Sequence, residues 1–137
     1  MQSDLKVPKK EFLRGERMLA MLKSKIHGAV VTGTLLEYDG SLRVDESLLK
    51  AARMLPGEMI HVWNVSNGNR FRTYVVPGKK GGITVMGAAA RLCRKGDKLI
   101  VAAETFLEEK KAEKHRPKVI FVDGKNRIKS AGKRWKK

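Results

Sequence analysis

From Lys25 onward the apolar residues fall into short runs separated by turn residues, a pattern of short β-strands rather than long helices. Residues 26–32 form a β-branched run, 34–38 a second, and Asp39-Gly40 a turn before a short strand at 42–44. Asp45 is placed to cap a helix with Leu48, Leu49, Ala52 and Leu55 on one face, closed by Pro56-Gly57. The runs 59–65 and 70–76 flank Ser66-Asn67-Gly68-Asn69 and predict a β-hairpin. After a loop over 77–82 come a strand at 83–85, a short helix from Gly87, strands at 99–103 and 119–122, and a helix over 107–114 between them. Upstream, apolar positions at mixed three- and four-residue spacings predict a helix over 11–23. The order of elements predicts a mainly β chain folded as a small barrel with a few short helices.

At 137 residues the chain is of single-domain size, and 42% hydrophobic with 32% charged residues predicts a folded globular protein. No apolar run reaches the roughly 20 residues of a membrane-spanning helix, and the first dozen residues do not resemble a signal peptide. A single cysteine, Cys93, allows no internal disulfide and makes the cytoplasm the expected location. The net charge of +16 is uneven: residues 1–25 carry +4, residues 26–109 only +2, and residues 110–137 carry +10. Basic ends of this kind favour solubility and bind polyanions non-specifically by counterion release. A nucleic-acid-binding barrel is the competing function class, with Trp63, Phe71 and Tyr74 as a stacking platform, although Trp63 and Phe71 read first as core residues.

Metal chemistry has little support. His27, His61 and His115 are scattered, and with one cysteine no zinc-site spacing arises. The glycines at 78, 81 and 82 lack the Lys-Ser/Thr of a phosphate-binding loop. Gly40-Ser41 offers a different chemistry. Glycine permits close backbone approach, and the serine hydroxyl can attack the carbonyl before it. That shift gives an ester, whose elimination and hydrolysis leave an N-terminal pyruvoyl group.

The segments Lys25-Ile26-His27, Tyr38-Asp39-Gly40-Ser41, Trp63-Asn64-Val65-Ser66-Asn67-Gly68, Arg70-Phe71-Arg72-Thr73-Tyr74 and Gly87-Ala88-Ala89-Ala90 together resemble the bacterial aspartate 1-decarboxylase family in order and spacing. The resemblance spans about Met21 to Val122 and implies a double-psi β-barrel. It implies that Ser41 becomes the pyruvoyl group that forms a Schiff base with substrate, after self-cleavage between Gly40 and Ser41. Tyr74 matches the proton donor. Lys25 and Arg70 match the cations that hold substrate carboxylates, and Thr73, Gly87, Ala88 and Ala89 match further substrate contacts. His27 and Trp63 match residues lining the site, as does position 86. The resemblance further implies conversion of L-aspartate to β-alanine for pantothenate and coenzyme A synthesis. It implies a homotetramer with sites between subunits and leaves room for a maturation factor; no metal, pyridoxal phosphate or membrane is implied.

The residues suit that chemistry. Loss of carbon dioxide from an α-amino acid needs an electron sink, which a pyruvoyl ketone provides. A dicarboxylate needs cations, and a phenol can reprotonate the α-carbon. Two features depart from the family pattern: Met86 stands where the family has asparagine, and the loop 77–82 is slightly short. A thioether cannot replace an amide's hydrogen bonds, so a divergent member with altered substrate or impaired processing is the alternative. The expected division is a basic, partly helical extension over 1–20, a barrel over 21–122 and a basic tail over 123–137.

Overall fold

β-Branched and aliphatic residues at alternate positions give each main strand one face for a shared core, and the fold follows from bringing those faces together. The computed structural model describes residues 17–133. Its strands are β1 (Met18–Val30), β2 (Gly33–Leu35), β3 (Ser41–Asp45), β4 (Met59–Asn64), β5 (Arg70–Gly78), β6 (Ile83–Met86), β7 (Lys98–Glu108), β8 (Lys118–Val122) and β9 (Ile128–Lys133). Between them lie helix α1 (Glu46–Ala51), a 3-10 helix (Gly87–Leu92) and helix α2 (Glu109–Lys114). The strands hydrogen-bond in the order β2-β6-β3-β5-β4-β7-β1-β8-β9, with parallel pairs β2/β6, β3/β5 and β1/β8 among antiparallel ones. Ile26, Val44, Ile60, Val62, Val75, Ile83, Leu99, Val101 and Ile120 are among the residues that fill the core.

The row of strands curls back on itself. The Thr32 amide, just past β1, donates to the Ile83 carbonyl at 2.8 Å, and the Ile83 amide donates to Thr32 Oγ1 at 2.9 Å. Asn126 fastens the same seam. Its Oδ1 accepts the Val30 amide at 2.7 Å, and its Nδ2 donates to the carbonyls of Val30 and Gly81 at 3.0 and 2.9 Å. Gly28 lies at a register shift between β1 and β7, with φ +94° and the Val122 carbonyl 3.3 Å from where a Cβ would sit. Glycine suits that bulge because L side chains avoid the conformation. The result is the small, mainly β barrel that the sequence predicts.

Four local expectations change. Residues 18–23 are strand, not helix: β1 runs without a break into pairing with β7 as far as Met18 opposite Glu108. A long partner strand satisfies those backbone groups and overrides a loose helical spacing. Residues 11–16 of that expected helix lie outside the described residues. At the other end of the same ladder, Leu107 and Glu108 belong to β7, and α2 begins at Glu109. The stretch expected as a tail contributes Asn126 and then β9, which pairs antiparallel with β8. Helix α1 forms as expected, with Asp45 accepting the Ser47 amide at 2.8 Å, but Leu55 lies beyond it and is 71% exposed.

Candidate active site

Ser41 opens β3, directly opposite Met86 of β6. On its other side, β3 runs parallel to β5 with Leu42 opposite Val75, so one step back brings Ser41 alongside Tyr74. Ser41 is only 3% exposed, and Tyr74 is half-buried. The chain before Ser41 is pressed against Gly87, which has φ +77°. A Cβ there would lie 2.5 Å from the Gly40 Cα, 2.8 Å from the Gly40 nitrogen and 3.0 Å from the Tyr38 carbonyl. No side chain fits in that gap, so both the conformation and the packing require glycine. Met86 is buried at 1% exposure, outside the central core cluster and against the Ser41 corner. Of the neighbouring alanines, Ala88 is exposed and Ala89 packs on the core. Arg43 and Tyr38 bracket the Gly40-Ser41 bond, with the guanidinium carbon 5.6 Å from the Tyr38 ring centre.

A second cluster lies on the outer face of the sheet, where strand alternation sets side chains opposite to the core. One cross-strand row runs Lys25, Ala102, His61, Arg72; the next runs His27, Ile100, Trp63, Arg70. The Arg70 guanidinium lies 5.6 Å from the Trp63 ring centre, a cation–π contact. Trp63 therefore belongs to this face and not to the core, whereas Phe71 does pack on the core. His61 meets Glu104 at 3.4 Å, and Lys23 is tied to Glu58 at 2.6 Å. Among the described residues, Lys25, Arg70 and Arg72 make no ion pair, which leaves their charge for an outside anion. Burial and the charges of Lys25, Lys98 and Lys129 hold the His27 imidazole below its ordinary value of 6.5, so it is neutral near pH 7.

The two clusters are set apart along the sheet, although Tyr74 shares the outer face of β5 with Arg70 and Arg72. Lys25 is three strands away from β5, roughly 14 Å at about 4.8 Å per strand. Arg70 precedes Tyr74 by four residues on β5, roughly 13 Å at about 3.3 Å per residue. Thr73 takes the face of β5 opposite to Tyr74, beside Ile60. The chain thus presents a Ser41 corner holding Tyr74, Met86 and Gly87, and a cationic face holding Lys25, His27, Trp63 and Arg70.

The Trp63–Gly68 motif acts mainly through the fold. Asn64 is 2% exposed; its Oδ1 accepts the Ser66 and Asn67 amides, and its Nδ2 donates to Asp97 at 2.8 Å and to the Leu92 carbonyl. Asn67 and Asn69 also donate to that carbonyl, at 3.1 and 3.2 Å, fixing the end of the 3-10 helix that begins at Gly87. Sequence reasoning reads this stretch as a hairpin turn; its anchoring of the segment after Gly87 appears only in three dimensions. Cys93 is buried, and burial pushes its thiol above the ordinary value, which makes it a poor nucleophile. Among the described residues no group of three His, Cys, Asp or Glu side chains could hold a metal ion, and no helix is long and apolar enough to cross a membrane.

Known proteins share this arrangement of segments. A sequence profile described as aspartate decarboxylase matches residues 17–129. The aspartate 1-decarboxylase of Carboxydothermus hydrogenoformans is 50% identical over 112 residues, covering 80% of this chain and 88% of its own. That of Hydrogenobaculum sp. strain Y04AAS1 is 49% identical over 108 residues, covering 79% and 86%. That of Legionella pneumophila strain Lens is 50% identical over 111 residues, covering 80% and 84%. With the profile spanning the barrel and identity near one half over most of both chains, the chain belongs to the aspartate decarboxylase family.

Proposed function

We propose that this chain decarboxylates L-aspartate to β-alanine, using a pyruvoyl group made from its own Ser41. The observation that carries the reading is the Ser41 corner. Ser41 is buried where β3 begins, Gly40 just before it is exposed, and Gly87 packs so closely on the Gly40 backbone that no side chain would fit between them. Ser41 Oγ adds to the Gly40 carbonyl carbon, the peptide C–N bond breaks, and an ester takes its place. Elimination across Cα–Cβ releases Gly40 as a carboxylate and leaves dehydroalanine, which water hydrolyses to the ketone with loss of ammonia. The corner fits such a group: Ser41 is shielded from bulk water, and Tyr74 stands beside it. When present, the pyruvoyl group supplies the electron sink for loss of carbon dioxide.

The remaining work falls to ordinary side chains. Arg70, braced on Trp63, offers a planar fork to a carboxylate, and Lys25 a second positive charge. The Tyr74 hydroxyl delivers a proton to the substrate α-carbon. Because Lys25 and Arg70 lie far from Ser41 in their own chain, turnover sites form where the cationic face of one copy meets the Ser41 corner of another, in a homotetramer. Exposed Met59 and Phe106, at 49% and 63%, lie on the same outer face and give it apolar area to bury in such contacts. The expected location is the cytoplasm, and the product feeds pantothenate synthesis.

Intact mass tests the reading directly. Purified protein should resolve into fragments of about 4.5 and 10.9 kDa, apportioned from 15.4 kDa by residue number. The larger fragment should react with hydrazine. Ser41→Ala should stay one chain and form no β-alanine. A fully active Ser41→Ala protein would end the proposal.

A further inference from the structure

We propose that a cavity beside His27, lined from β1, β7, β8 and β9, binds a small anion of the phosphate class, held by Lys98 and Lys129. It goes beyond the aspartate reading, whose cations lie along β1 and β5; Trp63 and Arg70 lie on the β7 and β4 side of the same histidine. The cavity measures about 440 Å³, and its lining includes His27, Lys98, Phe121, Asp123 and Lys129. That volume suits a small molecule rather than a polymer.

Its charge is one-sided. Lys98 comes from β7 and Lys129 from β9, and neither makes an ion pair among the described residues. The carboxylate in the lining, Asp123, is already committed: it accepts the amides of Lys125 and Arg127 at 2.9 Å each and the Arg127 Nε at 3.0 Å. The His27 ring leans on Phe121 with centroids 5.2 Å apart, and its Nδ1 is buried without a hydrogen-bond partner among the described residues. The charged groups that act on this ring are Lys25 on β1, Lys98 on β7 and Lys129 on β9, with Asp123 after β8 in the same lining. The three lysines disfavour a protonated imidazole and favour an anion. Once an anion sits among them, the balance reverses and His27 becomes easier to protonate. A protonated His27 should therefore hold an anion of fixed charge more tightly than a neutral one.

The test is an NMR titration of the His27 imidazole in the full-length protein, at constant ionic strength set with chloride. Inorganic phosphate should raise the His27 midpoint by about one pH unit. The double variant Lys98→Ala/Lys129→Ala should weaken phosphate binding tenfold or more while chain cleavage and the circular dichroism spectrum stay unchanged. Methyl phosphate distinguishes the source: tighter binding than inorganic phosphate assigns the cavity to a phosphorylated metabolite, and weaker binding assigns it to the free ion. Either ordering supports the site. An unmoved midpoint, or full binding by the double variant, overturns it. A midpoint that moves with L-aspartate and not with phosphate overturns it too, and gives the cavity to decarboxylation instead. Loss of aspartate turnover in Lys25→Ala with an intact phosphate effect would keep the two readings apart.

Discussion

The Ser41 corner and the cationic face differ in how much of their chemistry one chain completes. At the corner everything is internal: Ser41 is buried, Met86 faces it across a ladder, and Gly87 fills the space behind Gly40. On the face, Lys25, Arg70 and Arg72 are without carboxylate partners among the described residues and point away from the core. Cutting a peptide bond needs only groups that the fold already holds together. Binding a dicarboxylate needs charges kept clear of the protein's own acids, and Lys23, two residues before Lys25, shows the alternative by closing on Glu58. The proposed reading accordingly assigns maturation to the single chain and turnover to the assembly.

The largest effect comes from splitting the two regions between chains. Ser41→Ala and Lys25→Ala should each abolish or nearly abolish β-alanine formation, the first without cleavage and the second with it. Unfolded and reassembled together in equal amounts, they should regain up to about a quarter of wild-type activity, because one interface in four pairs two intact halves. Mixtures as inactive as their components would place the cations and Ser41 in a single chain's site.

Tyr74→Phe comes next. It keeps the ring beside Ser41 and removes the proton, so cleavage should proceed while decarboxylation falls about 10²- to 10⁴-fold. Both are read on one preparation, by intact mass and by β-alanine assay. Normal turnover by the cleaved variant would take the proton-donor role from Tyr74.

Gly87→Ala acts on the corner alone. The methyl group meets the Gly40 backbone at 2.5 Å and forces a residue with φ +77° into a costly conformation. A cost of about 1–2 kcal/mol in the geometry of attack slows cleavage roughly five- to thirtyfold, measured as the rise of the larger fragment after synthesis. Among molecules that do cleave, a rise in KM for aspartate would report the substrate contact that the resemblance assigns to Gly87.

Much of this was legible in the sequence, and the gaps have physical reasons. The hairpin after Met59 and the Asp45 cap rest on local signals, turn residues and a capping side chain, and both formed as expected. Residues 18–23 misled because their spacing is a weak local preference, while the partner strand β7 lies some eighty residues away. Asn126 carried no signal at all: a single asparagine in a basic stretch shows its role only when Val30 and Gly81 are brought to it. The motif segments named the candidate site residues, but not their separation into two clusters. That separation comes from strand order, which motifs read one at a time do not contain. Trp63 was drawn toward the core by its size, and the alternation with Val62 and Asn64 placed it outside.

Arg70→Lys probes the face most gently. It keeps the positive charge but replaces a flat fork with a flexible point charge, so one of two parallel hydrogen bonds to a carboxylate is lost. Stacking on Trp63 weakens as well, since the guanidinium at 5.6 Å owes part of its position to the ring. Together these should cost about 1 kcal/mol, a roughly fivefold rise in KM for aspartate. Cleavage should be complete, because Arg70 lies four residues along β5 from the Ser41 corner. The turnover number should change little, since the charge acts on bound substrate before and after carbon dioxide leaves. A variant with unchanged KM and a reduced turnover number would mean that Arg70 acts on the transition state. The line drawn between corner and face would then have to move to include it.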